Sequence, residues 1–528
     1  MNAEINRCFM RFQDRAERFS PEIIAETFVS VGPLLDVLSS KNNQIMYGRR
    51  GTGKTHALRY FQNLEINKGN ISAYIDAQNL GSNGSIYNDK NLPTRERATR
   101  LFVDVCNALH QHMLDVFTSP NSKWDLSQAA PLLDGLIESF VATRIDFGQV
   151  EEETTIQRSD VVKEKSGLNL DIYPSPKLGA YIGDDSEASN SGTDRRKNTG
   201  SEESWIDFTY LSKSFRSIVQ LIKPARLYIL VDEWSTIPLD MQPYLADMLR
   251  RTFFTIPEVT VKIGAIEHRS AFREDRPTGE YIGFELGADI TAAINLDDYL
   301  VVDNDEERAN SFFKQFISNH AASIAKELDL IIPPGQKLFD SAFTQQENVF
   351  LEFVRASEGV PRDGLHILTA AAQKANTKPI SMPNLRAAAH SFFLTDKYAA
   401  ISANSNNRKM LDWIRDQVIE KRQTRAFLLQ AGQEDAIVDN LFDRRALHVL
   451  HRSRSAAHRP GERFIVYKLD YGMYIELVHS DRFPKGLLSN EGDGDIDFDV
   501  PVDDARSYRR AILELDEFYS LHPEAKHV

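Results

Sequence analysis

A chain of 528 residues, 42% hydrophobic and 26% charged, has the balance of a soluble globular protein and the length for about two to four separate cores. Its formal charge of −14 excludes a surface that coats nucleic acid throughout, because phosphate binding needs Lys and Arg to displace counterions. No apolar run reaches the roughly 20 residues of a membrane span, and MNAEINRCFMRFQDRAERF interrupts its apolar residues with charges, so a cytoplasmic protein without membrane contact is expected. Cys8 and Cys106 belong to no CxxC or Cys/His cluster, which predicts reduced, packed thiols.

From Arg15 to Leu38 the pattern predicts short helical pieces, followed by a strand over Gln44–Tyr47, a glycine-rich loop and a helix to about Leu64. Ile71 to Ala77 has the β-branched and aromatic content of a buried strand, and Arg95 to Phe117 carries apolar residues at helical spacing. Strand and helix alternate. That order points to a parallel sheet with helices on its faces, an α/β fold.

Residues 151–204 break the pattern. EEETTIQRSD opens the stretch and DDSEASNSGTDRRKNTGSEES closes it, so too little apolar surface is available to offset ordering. The segment reads as a mobile insertion holding one apolar island, LNLDIYPSPKLGAYIG.

Leu227–Val231 then reads as a strand buried on both faces, followed by a helix over Met241–Phe254 and a strand over Val259–Ile266. Helices over Asp305–Leu328 and Asn348–Ala372, the second broken at Gly359, Val360 and Pro361, suit a helical lid. Beyond Asn407 the pattern gives helices at Met410–Lys421 and Asp435–Leu450. A two-stranded unit, ERFIVYKLDYGMYIELV, would turn at Tyr471 and Gly472, which together reads as a winged helix. Three parts follow: residues 1–300 with the insertion, a lid at 301–400, and a winged-helix-like segment at 401–528 that includes the acidic tail EGDGDIDFDVPVDD.

Gly48, Arg49, Arg50, Gly51, Thr52, Gly53, Lys54 and Thr55 fit GxxxxGK[ST] between an apolar strand and a helix, the context this motif requires. Such a loop wraps backbone N–H groups around a β-phosphate, while the Lys54 ammonium reaches the β- and γ-phosphates and Thr55 offers its hydroxyl to magnesium. His56 follows and is counted with the loop. In LYILVDE the apolar strand ends on Asp232, a metal carboxylate, and Glu233 stands where a general base would polarise water against the γ-phosphate. The expected ligands are therefore ATP and Mg2+, and the expected activity is hydrolysis. An Asp-Glu turn that merely caps the next helix is the competing reading, which the phosphate loop disfavours by requiring such a strand.

On GRRGTGKT, LYILVDEWS, VKIGAIEHRS and ASEGVPRDGLHIL the chain resembles, from Arg15 to Ala400, the AAA+ ATPases of the origin-recognition, initiator-like group, bacterial members included. The resemblance implies that Arg362 reaches the γ-phosphate from the lid as a second sensor. It implies a first sensor at the end of VKIGAI, where His268 stands in place of the usual Asn or Thr. It also implies an arginine finger offered to a neighbouring subunit, for which Arg269, Arg273 and Arg276 are candidates, with Arg250 and Arg251 as alternatives. A homo-oligomer follows from that shared site. Relatives of this kind accompany mobile elements or antiphage systems.

Between residues 421 and 463, Lys421, Arg422, Arg425, Arg444, Arg445, Arg452, Arg454, Arg459 and Arg463 accumulate around His448, His451 and His458. A winged helix can set such a basic helix and hairpin on duplex DNA. The same density also suits a solvated face, or a surface that meets the chain's own acidic tail. A second class of function stays open, a STAND-like nucleotide switch that gates an effector or partner protein without DNA contact.

Overall fold

The computed structural model describes residues 2–80, 91–141, 143–146, 153–154, 194–195, 201–204, 206–422, 424, 426–456, 459–479 and 511–527. They fall into two units, one of Met1–Phe140 with Asp207–Val528, the other Val141–Ile206. In the second unit Thr143–Asp146 pairs antiparallel with Ser201–Ser204, and Glu153–Thr154 with Asp194–Arg195. Most of the polar insertion, with its apolar island, lies outside the described residues.

The first unit is built on α1 (Asn2–Phe9), α2 (Pro21–Thr27), α3 (Leu34–Leu38), β1 (Gln44–Tyr47), α4 (Lys54–Asn67), β2 (Ile71–Asp76), α5 (Thr94–Thr118), α6 (Leu126–Val141), α7 (Phe208–Ile222), β3 (Leu227–Asp232), α8 (Gln242–Leu249), β4 (Val259–Ala265), a hairpin of β5 (Arg273–Asp275) and β6 (Tyr281–Gly283), and β7 (Thr291–Asn295). Five of these strands form one all-parallel sheet in the order β7-β1-β4-β3-β2. A mixed α/β unit with such a sheet fits a P-loop-like fold. Every residue of β3 and β4 is buried, because helices cover both faces. All five strands run the same way, so their carboxyl ends deliver Gly48, Asp76, Asp232, Ile266 and Leu296 to one edge, where α/β sheets hold ligands.

The chain then forms α9 (Glu306–Glu327), α10 (Gln336–Ala342), α11 (Gln346–Ala356), α12 (Pro361–Ala375) and α13 (Met382–Phe392). Asp305 caps α9 by accepting from Arg308 N, and Pro361 opens α12 at the position where its missing N–H is harmless. These helices bury Phe313, Phe350, Phe353, Leu368 and Leu385 in one core, which α1 joins through Ile5 and Phe9.

Next come α14 (Ala399–Ser402), α15 (Ser405–Trp413), β8 (Ala426–Gln430), α16 (Ala436–Asp443), β9 (Leu447–Ala456), β10 (Arg459–Leu469) and α17 (Tyr471–His479). β8, β10 and β9 make an antiparallel sheet in that order. Two expectations need correction here. The helix expected to reach Leu450 stops at Asp443, since Arg445 takes a left-handed φ of 61° and Leu447 begins a strand. The hairpin closes where Ala456 faces Arg459, and Tyr471-Gly472 opens a helix instead, capped by Asp470, whose Oδ1 accepts from Gly472 N at 2.9 Å. Arg425, His458 and the acidic tail lie outside the described residues.

Buried ion pairs join the α9–α13 helices and the C-terminal segment. Lys397 Nζ stands 2.8 Å from Asp363 Oδ2 and 2.6 Å from Asp470 Oδ2, all three side chains nearly fully buried. Arg445 Nε donates to the same Asp363 oxygen at 3.0 Å, and Lys468 Nζ bridges Asp303 and Glu358, each at 2.6 Å. Replacing Lys397 by methionine removes the cation from two buried carboxylates. A loss of about 3–5 kcal/mol is expected in urea unfolding, partly recovered when Asp470→Asn is added. A loss under about 1 kcal/mol would show that Arg445 and His448 suffice to hold the two carboxylates.

Candidate nucleotide-binding site

A cavity of about 250 Å3 opens at the carboxyl edge of the sheet. Its polar lining comes from residues 50–55 of the loop with Gln78, Glu233 and Arg362. Its apolar lining includes Phe28, Val29, Val31, Leu300, Phe316 and Leu365, and His320 lines it as well.

The phosphate loop turns on Gly51 and Gly53, whose φ values of 89° and 102° a side chain would strain. Gly48 N donates to Ala265 O at 3.2 Å, which ties the loop to β4, and Lys54 starts α4 directly after Gly53. Lys54 Nζ donates to Gly48 O at 2.7 Å and Arg49 O at 3.1 Å. Burial lowers its pKa, opposed by the nearby charges of Asp232, Glu233 and Asp297. A buried ammonium held only by carbonyls is a fit for an anionic phosphate.

Thr55 Oγ1 donates to Asp232 Oδ2 at 2.6 Å, and Tyr74 OH donates to the same oxygen at 2.8 Å. Asp232 is fully buried, and its Oδ1 accepts from Glu233 N at 2.9 Å. Glu233 adopts a left-handed φ of 53°, an arrangement that turns its carboxylate towards the cavity and not along the strand. Burial raises its pKa, Lys54 lowers it and Asp232 raises it. Among the described residues no three His, Cys, Asp or Glu side chains converge as a metal cage, so a cation at Thr55 and Asp232 would complete its shell with phosphate oxygens and water.

Arg362 arrives from the first turn of α12: its backbone N donates to Gly51 O at 3.2 Å and its Nε to Asp14 O at 3.1 Å. The phosphate loop, the acidic strand end and this arginine thus meet at one cavity. Arg50 lines it as well. His56 also lines the cavity, its Nε2 3.3 Å from both Thr27 Oγ1 and Ile24 O and its ring edge-on to those of Phe19 and Phe28. Arg49 is buried beneath the C-terminal segment, with Nε on Asp297 Oδ1 at 2.6 Å. His268 and Arg269 do not line the cavity. His268 Nδ1 lies 3.4 Å from Asp439 and Arg269 Nε 2.7 Å from Asp443, both on α16. Arg273 and Arg276 are exposed at the β5–β6 hairpin, whereas Arg250 and Arg251 both pair with Asp247.

Sequence patterns did not single out Tyr74, Gln78, Asp297 or His320. Tyr74 sits on the edge strand ISAYID, and only its register beside β3, with Asp76 opposite Asp232, brings its hydroxyl to that carboxylate.

A family model described as ORC-CDC6-like matches residues 12–77, from the segment over the cavity through the phosphate loop to the end of β2. This supports a relationship to ORC/CDC6-like AAA+ initiators, a family of ATPases. A search of curated proteins gives no match.

His320 is 4% exposed, ringed by Phe12, Phe19 and Phe316, and burial drives its imidazole pKa down to about 3. The unfolded chain takes up that proton below about pH 6.5 and the folded one does not, so stability falls as pH drops through that value. The melting temperature of His320→Phe should therefore fall less than that of wild type between pH 7.5 and 5.0. Equal falls would show that His320 is charged in the fold.

Proposed function

We propose that this chain is an AAA+ ATPase that binds ATP with magnesium and hydrolyses it to switch an oligomer or a partner protein. The observation that carries this reading is the hydrogen bond from Thr55 to the buried Asp232, with Thr55, Lys54 and Glu233 lining one cavity, four groups with distinct duties in triphosphate hydrolysis. Lys54 would leave its two carbonyls for the β- and γ-phosphates. The loop N–H groups and the start of α4 would bind the β-phosphate. Thr55 and Asp232 would hold magnesium, which when bound supplies positive charge to the phosphate oxygens. Glu233, its basicity raised by burial, would take the proton of the attacking water. Arg362 would reach the γ-phosphate from the lid. The apolar lining, with Val29, Val31 and Leu365, suits an adenine ring.

The division into an AAA+ part at 1–300, a lid at 301–400 and a winged-helix-like part at 401–528 belongs to this proposal. A shared active site would take its finger from Arg273 or Arg276, which are exposed, more readily than from Arg269, which holds Asp443. The first-sensor role of His268 would require it to leave Asp439. DNA contact through 421–463 would fall to Arg454 and Arg463, both exposed on the hairpin. Arg445 and Arg452 are held by Asp363 and Asp396, and by Glu267 and Asp298. These internal pairs favour the second reading, a STAND-like switch gating an effector without DNA.

Lys54→Ala is expected to abolish ATP binding in calorimetry. Glu233→Gln should bind ATP and lose about 10²-fold or more in phosphate release. Normal turnover by Glu233→Gln would remove it as the base. Mixing Glu233→Gln with an Arg273→Ala, Arg276→Ala variant should restore activity that neither has alone, and no restoration would exclude a finger from a neighbouring subunit.

For DNA, Arg454→Glu with Arg463→Glu should weaken duplex binding and reduce the slope of log affinity against log salt by about one to two. An absence of duplex binding by wild type, with or without ATP, favours the switch.

A further inference from the structure

Arg49 occupies a variable position of the phosphate loop, where triphosphate chemistry asks for no particular side chain, yet it is 3% exposed. Its Nε donates to Asp297 Oδ1 at 2.6 Å. Nη1 donates to Leu447 O at 2.9 Å and Phe442 O at 3.4 Å, and Nη2 faces His448 Nδ1 at 3.2 Å. The guanidinium carbon lies 4.3 Å from the centre of the Phe442 ring. Four of the five N–H groups are thereby engaged, three of them by α16, β9 and the turn between them.

A guanidinium only donates, so His448 must present the Nδ1 lone pair to Arg49 and carry its proton on Nε2. That proton points at Asp470 Oδ2, 3.2 Å away. The same carboxylate oxygen meets Lys397 Nζ at 2.6 Å, and Lys397 meets Asp363, the residue after Arg362. One buried chain of charges and dipoles therefore runs from the phosphate loop through the C-terminal segment to the start of the helix that carries Arg362.

The main chain of Arg49 belongs to the loop itself. Its N donates to Asp297 Oδ2 at 2.8 Å, and its carbonyl accepts from Thr52 Oγ1 at 2.9 Å and Lys54 Nζ at 3.1 Å. Fixing the side chain fixes the peptide that orients Lys54. We propose that Arg49, held by His448 and the carbonyls of Phe442 and Leu447, is a positioning residue of the phosphate loop, so that docking of the C-terminal segment tightens nucleotide binding. Linkage makes this reciprocal: nucleotide tightens the docking by the same factor. The inference rests on the nucleotide reading above and adds its regulation, since a partner that pulls α16 and β9 away would loosen the nucleotide.

The test uses the full chain with Mg·ATP, affinity by calorimetry and hydrogen exchange over residues 442–450. In wild type, nucleotide should slow exchange there. Arg49→Ala and His448→Phe should each bind about tenfold more weakly, a typical coupling. The double variant should bind no more weakly than Arg49→Ala, and nucleotide should no longer alter exchange at 442–450 in it. If Arg49→Ala does not fold, Arg49→Lys, which keeps the charge and loses the fork, serves in the same comparison. A side chain that only stabilises the fold would lower the melting temperature without this non-additivity. Unchanged affinity, additive losses, or wild-type binding with no change in exchange each overturn the coupling alone. A wild type that binds no nucleotide overturns the nucleotide reading, and the coupling with it.

Discussion

The 2.6 Å hydrogen bond between Thr55 and Asp232 depends on strand order more than on either residue. Asp232 ends β3 whereas Thr55 lies in the first turn of α4, which the loop after β1 leads into, and β4 is inserted between β1 and β3, so Asp232 must reach across the intervening strand. Gly264 permits this, because a Cβ there would stand 2.6 Å from Asp232 Oδ1. Tyr74, from the strand on the other side of β3, completes the hold from a second direction. The carboxylate is thus fixed by groups from β2 and α4, with its own strand buried on both faces. Such a site is built on rigid elements, and the loop and the start of α12 are fixed to them by further contacts.

Those holds are charged and buried. Lys397 lies between Asp363 and Asp470, Lys468 between Asp303 and Glu358, and Arg49 between Asp297 and the C-terminal segment. Pairs of this kind add little net stability over an apolar equivalent, but they are severe when half-made. They therefore penalise any arrangement in which the α9–α13 helices or the C-terminal segment sit slightly out of place.

Local chemistry made the nucleotide half of the site legible. A glycine loop between an apolar strand and a helix, and a strand ending in Asp-Glu, are patterns over a few consecutive residues, and β1, β2 and β3 appear within one residue of their expected ends. The fifth strand escaped because TAAIN is short, with alanine at two of its five positions, and only its place beside β1 makes it a strand. The C-terminal hairpin was misread for a related reason. Leu447–Leu450 has apolar residues that a helix could also use, and the left-handed Arg445 that ends α16 leaves no mark in composition.

The basic stretch shows the limit of counting charges along a chain. Arg445 and Arg452 look alike in sequence to Arg454 and Arg463, yet the first two meet carboxylates from the helices before the C-terminal segment and from the sheet edge, partners 49 to 185 positions away. His268 and Arg269, placed by resemblance near the phosphates, meet Asp439 and Asp443 on α16 in the same way. Together with Arg49 these contacts draw segments of the parallel-sheet part of the chain onto one short helix and the strand after it. Withdrawing α16 by degrees would take the Phe442 and Leu447 carbonyls and the His448 ring from the buried guanidinium of Arg49 while Asp297 still holds it in place. The favoured movement is therefore a concerted release of α16 and β9 as a body, which is the behaviour of a two-state element and not of a loosening surface.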